Sequence, residues 1–128
     1  EAGARYMVTP DIYPDVINYC LDNDLAIIPG VATATEILNA YRMGLKMVKI
    51  FPAEGLGSNY IKQLRGPINN MDFIAVGGIT IDNLPYFKKA GCIGAGLGSS
   101  LVNNTLVEEK NWQGITILAR KAREAVGK

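Results

Sequence analysis

Short runs of apolar and β-branched residues alternate with amphipathic stretches along the chain. Five runs end in Gly or Pro and predict β-strands. They cover residues 5–9, 25–28, 47–51, 72–76 and 93–97. The residues that close them, at positions 10, 30, 52, 77 and 98, are spaced by 20, 22, 25 and 21 positions. This nearly constant spacing is typical of repeated units of one strand and one helix.

Helix signals lie between these predicted strands. Thr33 and Glu36 have the spacing of a capping box, in which each side chain satisfies a free backbone N–H of the other residue. Gly44 is predicted to end the helix that they begin. Asp82 is predicted to cap a helix that starts at Asn83. Further helices are predicted over residues 13–22, 58–65 and 111–126.

Strict alternation of strands and helices predicts a parallel sheet that is buried on both faces. Five strands cannot close a barrel, and a (β/α)8 barrel usually takes about 200 residues or more. Residues 1–3 also have the pattern of a helix tail, with Gly at its end. We therefore predict an α/β protein of the (β/α)8 TIM-barrel type, in which residues 1–128 form one domain and supply about the last five βα units. An open five-stranded sheet is the alternative.

Composition excludes several classes of function. The 13 basic and 12 acidic residues give a net charge of +1, so no basic face for nucleic acid or anionic lipid is expected. No apolar run reaches the about 18 residues of a membrane span, and we expect a cytoplasmic protein. The chain has no His, which excludes a His-ligated metal and a Ser-His-Asp triad. The two cysteines are expected to be buried, reduced thiols, and neither a metal nor a cofactor is expected.

Lys49 is the first candidate for chemistry. Side chains alternate along a strand, so Lys49 shares one predicted face with Met47 and Phe51, while Val48 and Ile50 lie on the other. If helices cover the Val48 side, Lys49 points into the barrel. Removal from water favours the neutral, nucleophilic amine that iminium chemistry needs. A structural lysine, paired with a carboxylate or reaching solvent at the strand end, is the alternative.

Two glycine-rich turns follow the last two predicted strands, over residues 76–79 and 94–99. Glycine allows backbone N–H groups to approach an anion closely, and Ser99 adds a hydroxyl donor. In barrels the loops after the last two strands are the usual phosphate site. Each turn taken alone is more often a tight turn than a ligand site, whereas the pair on consecutive strands favours phosphate binding.

Four ordered motifs carry a family resemblance. They are IPGVATATE at 28–36, VKIFPA at 48–53, VGGI at 76–79 and GLGS at 96–99. In sequence and spacing they resemble the 2-keto-3-deoxy-6-phosphogluconate (KDPG) aldolase family, which includes 6-phosphogalactonate and 4-hydroxy-2-oxoglutarate aldolases. The similarity extends from Gly3 to about Val102 and continues more loosely into the last predicted helix.

The resemblance implies a class I aldolase, a lyase that cleaves a 2-keto-3-deoxy-6-phospho-aldonate to pyruvate and glyceraldehyde 3-phosphate without a cofactor. It makes Lys49 the Schiff-base lysine and places Pro29 and Phe51 in the walls of the pyruvyl pocket. Family members are commonly homotrimers. The resemblance also assigns a phosphate site, formed by Gly77, Gly78, Gly98 and Ser99.

Two departures from the family pattern affect these expectations. Many gluconate-type members carry a substrate-contacting Thr where this chain has Val76, which looks more like the galactonate type. The general acid/base Glu and the Arg that binds the substrate carboxylate are expected in about three βα units that precede these residues in the family. Glu54 does not match that Glu in position.

Two other functions remain open from the residues. Another phosphate-binding barrel, such as an isomerase or synthase acting on a phosphorylated pentose or indole, would keep both glycine turns and use Lys49 as a general acid. A non-catalytic half-barrel would instead bind a partner or complete its barrel with another chain.

Overall fold

The computed structural model of the protein describes residues 3–127, in which parallel strands alternate with helices. The strands are β1 (Tyr6–Val8), β2 (Ala26–Ile28), β3 (Gly30–Val31), β4 (Met47–Ile50), β5 (Asp72–Val76) and β6 (Gly94–Gly96). The helices are α1 (Pro14–Asp22), α2 (Ala34–Arg42), α3 (Ala53–Leu56), α4 (Ser58–Leu64), α5 (Leu84–Lys89), α6 (Asn104–Glu108) and α7 (Trp112–Ala125). β1 pairs with β2, and β3, β4, β5 and β6 form a sheet in that order. The predicted parallel α/β fold is confirmed.

The predicted second strand, at residues 25–28, corresponds to β2, and Pro29 separates it from β3, which the sequence patterns did not predict. Proline has no N–H to donate to a neighbouring strand. Its carbonyl nevertheless accepts a hydrogen bond of 2.8 Å from the Lys49 N–H, and the Phe51 N–H donates to the Val31 carbonyl at 2.9 Å. The parallel pairing with β4 therefore continues across the division.

The two faces of the central strands differ in burial. Val48, Ile50, Phe73 and Ala75 are completely buried and belong to one apolar core with side chains of the helices. Burial of each large side chain of this kind contributes about 1.5 to 3 kcal/mol, which fixes this face towards the helices. Lys49 lies on the opposite face and is only partly buried, as the alternation of side chains predicts.

Most of the predicted helices are confirmed, including those at 13–22, 58–65 and 111–126. The Asp82 cap is wrong: α5 begins after Asn83, and no side chain caps its first turn. The sequence patterns also missed α3 and α6, which are four and five residues long and too short to show a helical period. Of the helix tail predicted at 1–3, Glu1 and Ala2 lie outside the described residues. No helix between residues 3 and 127 could cross a lipid bilayer.

The Arg65 side chain bridges the segments that precede β5 and β6 by hydrogen bonds. Its Nη1 donates to the Met71 carbonyl at 2.6 Å, and its Nε and Nη2 donate to the Gly91 carbonyl at 3.1 and 2.6 Å. Both cysteines are buried and reduced, as predicted. Burial raises the pKa of the Cys92 thiol to about 11, so this thiol stays protonated at neutral pH.

Glu36 completes the predicted capping box of α2. Its Oε2 accepts from the N–H of Ala32 at 2.9 Å and from the N–H and hydroxyl of Thr33, both at 2.8 Å. The Thr33 Oγ1 accepts in turn from the Glu36 N–H. The hydrogen bond from the Ala32 N–H, followed by that from the Thr33 side chain, lowers the pKa of Glu36 below its ordinary value of 4.5.

We expect Glu36→Gln to lower the free energy of unfolding by about 0.3 to 1 kcal/mol at pH 7, because an amide oxygen can still accept from the cap N–H groups but the negative charge at the start of α2 is lost. A carboxyl whose pKa is lower in the folded state stabilises above its unfolded pKa and loses that effect as the pH falls through the folded value. The difference between the two proteins should therefore shrink below pH 4.5. Urea unfolding of the full-length protein at several pH values measures it. Glu124→Gln, at an exposed position of α7, is the control, and equal stability of wild type and Glu36→Gln at pH 7 would contradict the expectation.

Candidate active site

Lys49 lies in the middle of the four-stranded sheet, in register with Gly30 on β3 and Ile74 on β5. Ile74 is in turn the partner of Gly94 on β6. Lys49 therefore belongs to a row that crosses all four strands and offers small or apolar neighbours on both sides. Its Nζ lies 5.1 Å from the centroid of the Phe51 ring, which follows the carboxyl end of β4. The amine is directed towards that end of the strands, where the active sites of parallel α/β barrels lie.

Phe51 connects the lysine to the first glycine turn. A methyl group added at Gly77 would lie 3.0 Å from Cδ2 and Cε2 of the Phe51 ring and 3.1 Å from Cα of Pro52. The ring is thus packed against the Gly77 backbone while the Lys49 amine lies over the ring. Amine, ring and glycine turn therefore follow one another at the carboxyl ends of β4 and β5.

Gly30 brings the end of β1 close to the lysine row. A methyl group at Gly30 would lie 2.0 Å from the carbonyl oxygen of Pro10, which is shorter than any contact that a side chain could make. The loop after β1 therefore passes directly against β3 beside Lys49, and only glycine fits there. Pro29, predicted to wall the pyruvyl pocket, is fully buried next to this contact.

The residues predicted for phosphate binding lie together. Gly77, Gly78, Gly98 and Ser99 line one cleft of about 290 Å³, and Val76 lines it with them. Val76 lies two residues after Ile74 on β5 and pairs with Gly96 on β6. A methyl group added at Gly96 would lie 3.1 Å from Cγ2 of Val76. The side chain of Val76 therefore occupies the space over β6, between the lysine row and the glycine turns.

The backbone of the turn after β5 exposes N–H groups. Gly77 and Gly78 have φ values of +93° and +72°, which glycine adopts without strain. The Gly77 carbonyl accepts from the Glu54 N–H at 3.0 Å, and the Gly78 carbonyl accepts from Nδ2 of Asn83 at 2.9 Å. Within the described residues, the N–H groups of Gly78 and Ile79 have no acceptor. Successive free N–H groups of this kind form an anion-binding concavity.

The sequence patterns did not predict that three residues, Ser100, Asn83 and Glu54, contact this turn. The Ser100 hydroxyl donates to the Ile79 carbonyl at 2.6 Å, and Asn83 bonds the turn through its side chain. Glu54 lies against Gly78, since a methyl group there would be 2.4 Å from Cβ of Glu54. The sequence shows Ser100 after a Gly-Ser pair and Asn83 at a predicted helix start, but neither pattern specifies which group the side chain bonds.

The fold is a parallel α/β fold with its candidate site at the carboxyl ends of the strands. The family model for KDPG and KHG aldolase matches residues 1–118. The chain therefore belongs to the KDPG and KHG aldolase family, as its motifs predict.

Individual relatives agree with this membership. The chain is 38% identical to the 2-dehydro-3-deoxy-6-phosphogalactonate aldolase of Escherichia coli (strain K12), over 97% of this chain and 61% of the relative. It is 33% identical to the 2-dehydro-3-deoxy-phosphogluconate aldolase of Pseudomonas aeruginosa, over 97% and 57%. Its structure resembles that of the KDPG aldolase from Legionella pneumophila with pyruvate captured as a covalent carbinolamine intermediate, with a TM-score of 0.82, 27% identity and coverage of 96% and 60%. The chain thus spans about three fifths of the length of these relatives.

Proposed function

We propose that the protein containing this chain is a class I aldolase that cleaves a 2-keto-3-deoxy-6-phospho-aldonate to pyruvate and glyceraldehyde 3-phosphate. The observation that carries the proposal is the arrangement of the Lys49 amine over the Phe51 ring, which itself packs on the Gly77 turn. A phosphorylated keto acid requires a nucleophilic amine for its keto group and an anion-binding turn for its phosphate. The 2-dehydro-3-deoxy-phospho-aldonate aldolases among the relatives support this substrate class.

In the proposed reaction, Nζ of Lys49 attacks the C2 ketone and forms a carbinolamine, which loses water to give a protonated iminium. A base removes the proton of the C4 hydroxyl, the C3–C4 bond breaks, and its electrons pass to the iminium, which becomes an enamine. Glyceraldehyde 3-phosphate leaves, the enamine is protonated at C3, and water releases pyruvate and the free amine. The carbinolamine captured in the Legionella enzyme supports the first step.

The site residues keep distinct roles in this proposal. Phe51 and Pro29 border the pyruvyl end. Val76 contacts the middle of the substrate, and its apolar side chain supports the galactonate type of C4 configuration. The phosphate is held by backbone N–H groups of the turns and by a hydroxyl, from Gly77, Gly78, Gly98 and Ser99.

The rest of the assembly is also part of the proposal. We place these residues in about the last five βα units of an eight-stranded barrel. The general acid/base and the carboxylate-binding Arg then come from the units that precede them in the family fold. A homotrimer and a cytoplasmic location complete the proposal.

The test is pyruvate production by the full-length protein, measured with lactate dehydrogenase and NADH. The substrates are the 6-phosphorylated 2-keto-3-deoxy acids of the galactonate and gluconate types, with the unphosphorylated acids as controls. We expect turnover of the phosphorylated acids, with the galactonate type preferred. Absence of pyruvate from both phosphorylated acids would overturn the proposal.

A further inference from the structure

Asn83 makes three hydrogen bonds to the turn that follows β5. Its Nδ2 donates to the Gly78 carbonyl at 2.9 Å, and its Oδ1 accepts from the Thr80 N–H at 2.9 Å. Its own backbone N–H donates to the Thr80 hydroxyl oxygen at 3.2 Å. One amide side chain therefore contacts both of the peptide groups that flank Ile79.

The orientation of the Asn83 amide is determined by these partners. Exchange of its oxygen and nitrogen would place NH₂ against the Thr80 N–H and a carbonyl oxygen against the Gly78 carbonyl. Both contacts would then be repulsive. The side chain thus acts as a donor on one side of the turn and as an acceptor on the other.

The bond from Asn83 to the Gly78 carbonyl fixes the direction of the free Ile79 N–H. In a planar trans peptide the C=O of one residue and the N–H of the next point in opposite directions. Because Asn83 holds the Gly78 carbonyl on its own side, the Ile79 N–H must point away from Asn83. A different contact directs the Gly78 N–H. The Gly77 carbonyl accepts from the Glu54 N–H, so the Gly78 N–H of the same peptide group points away from Glu54.

The opposite loop restrains the next peptide group. The Ser100 hydroxyl donates to the Ile79 carbonyl at 2.6 Å, across 21 positions of sequence, while Asn83 accepts from the Thr80 N–H of that same peptide group. This peptide is therefore held at both ends. Without the Asn83 side chain, the 78–79 peptide would lose its anchor, and the 79–80 peptide would keep only the bond from Ser100.

We propose that Asn83 is a positioning residue of the phosphate site, which directs the N–H group of Ile79 towards the phosphate of the substrate, beside the Gly78 N–H that Glu54 directs. The inference rests on the proposed function and adds a residue that does not itself touch the substrate. It also explains why the turn can bind an anion in a cleft whose lining carries no charged side chain: the hydrogen-bond donors are oriented before the ligand arrives.

The test compares Asn83→Ala with the wild type in the full-length protein. Substitution by Ala adds no charge near the phosphate and removes both side-chain bonds. We expect KM for the phosphorylated acid to rise about tenfold or more, the usual effect of leaving such a group without its partner, while kcat changes little. The rate of pyruvate trapping on Lys49 should stay unchanged, because pyruvate has no phosphate. Asn59→Ala, at an exposed position of α4, should leave all three values unchanged.

A second measurement uses inorganic phosphate as the probe. Phosphate should raise the Tm of the wild type and of Asn59→Ala, and it should raise that of Asn83→Ala much less. An equal Tm increase in Asn83→Ala and wild type would overturn the role of Asn83. A rate of pyruvate trapping that falls while KM rises would also overturn it, because general damage to the fold would then explain both effects.

The outcomes separate this inference from the proposed function. Wild-type protein that traps pyruvate but shows no Tm increase with phosphate would overturn the inference and leave the Schiff-base chemistry intact. Wild-type protein that is stabilised by phosphate through Asn83, but forms no adduct with pyruvate, would support the positioning role and remove the aldolase proposal.

Discussion

Replacement of Lys49 by Met is expected to lower kcat/KM for the phosphorylated keto acid by about 10³-fold or more, the scale of losing a covalent nucleophile. Met has a similar length and an apolar end, so it fits the partly buried position on β4 beside Phe51. It has no amine to form the iminium, and no electron sink then exists for cleavage of the C3–C4 bond. Steady-state kinetics with the lactate dehydrogenase assay measure the loss.

Two further variants determine whether the amine itself is responsible. Lys49→Arg keeps a positive charge but presents a guanidinium that stays protonated, so it should be as inactive as Lys49→Met. Lys46→Met removes an exposed ammonium that lies 5.0 Å from the Tyr41 ring, and it should keep wild-type activity. Activity of Lys49→Arg near the wild-type level would show that Lys49 contributes its positive charge and not a nucleophilic amine, and it would contradict the aldolase mechanism.

Gly78→Ala is expected to raise KM for the phosphorylated acid by about 10- to 100-fold. The φ of Gly78 is +72°, a conformation that costs other residues about 1 to 2 kcal/mol. The added methyl would also lie 2.4 Å from Cβ of Glu54, so the turn must move. That movement displaces the N–H groups of Gly78 and Ile79. Kinetics with phosphorylated and unphosphorylated acids measure the effect, which should be confined to the phosphorylated one.

Gly44 offers a matched control for this substitution. Its φ of +90° carries the same backbone cost, but an added methyl at Gly44 meets no atom within 4 Å. Gly44→Ala should therefore lower the free energy of unfolding by about 1 to 2 kcal/mol and leave KM unchanged. Similar KM values for Gly78→Ala and the wild type would contradict a phosphate site at this turn.

The sequence predicted those parts of the fold that depend on local patterns. Alternation of apolar residues placed Val48 and Ile50 towards the helices and Lys49 on the other face, and both placements are confirmed. The Thr33 and Glu36 capping box is also confirmed. Such features need only the neighbouring residues of the chain, and therefore a single sequence contains the necessary information.

Other features depend on residues that are distant in sequence. The requirement for glycine at position 30 comes from the Pro10 carbonyl, 20 positions earlier, and the turn after β5 depends on Ser100. Asp82 and Asn83 are equally favourable helix caps by residue preference, and in the structure α5 begins after Asn83, whose side chain bonds the turn instead. The sequence patterns do not record which residues these contacts join.

The most direct test of the account is reductive trapping of the full-length protein with pyruvate and sodium borohydride, followed by peptide mapping. Borohydride reduces an iminium to a stable secondary amine, which marks the lysine that formed it. The account predicts one pyruvate-derived adduct on Lys49, absent from Lys49→Met and present in Lys46→Met. An unmodified Lys49 in folded wild-type protein, or an adduct located on another lysine, would contradict it.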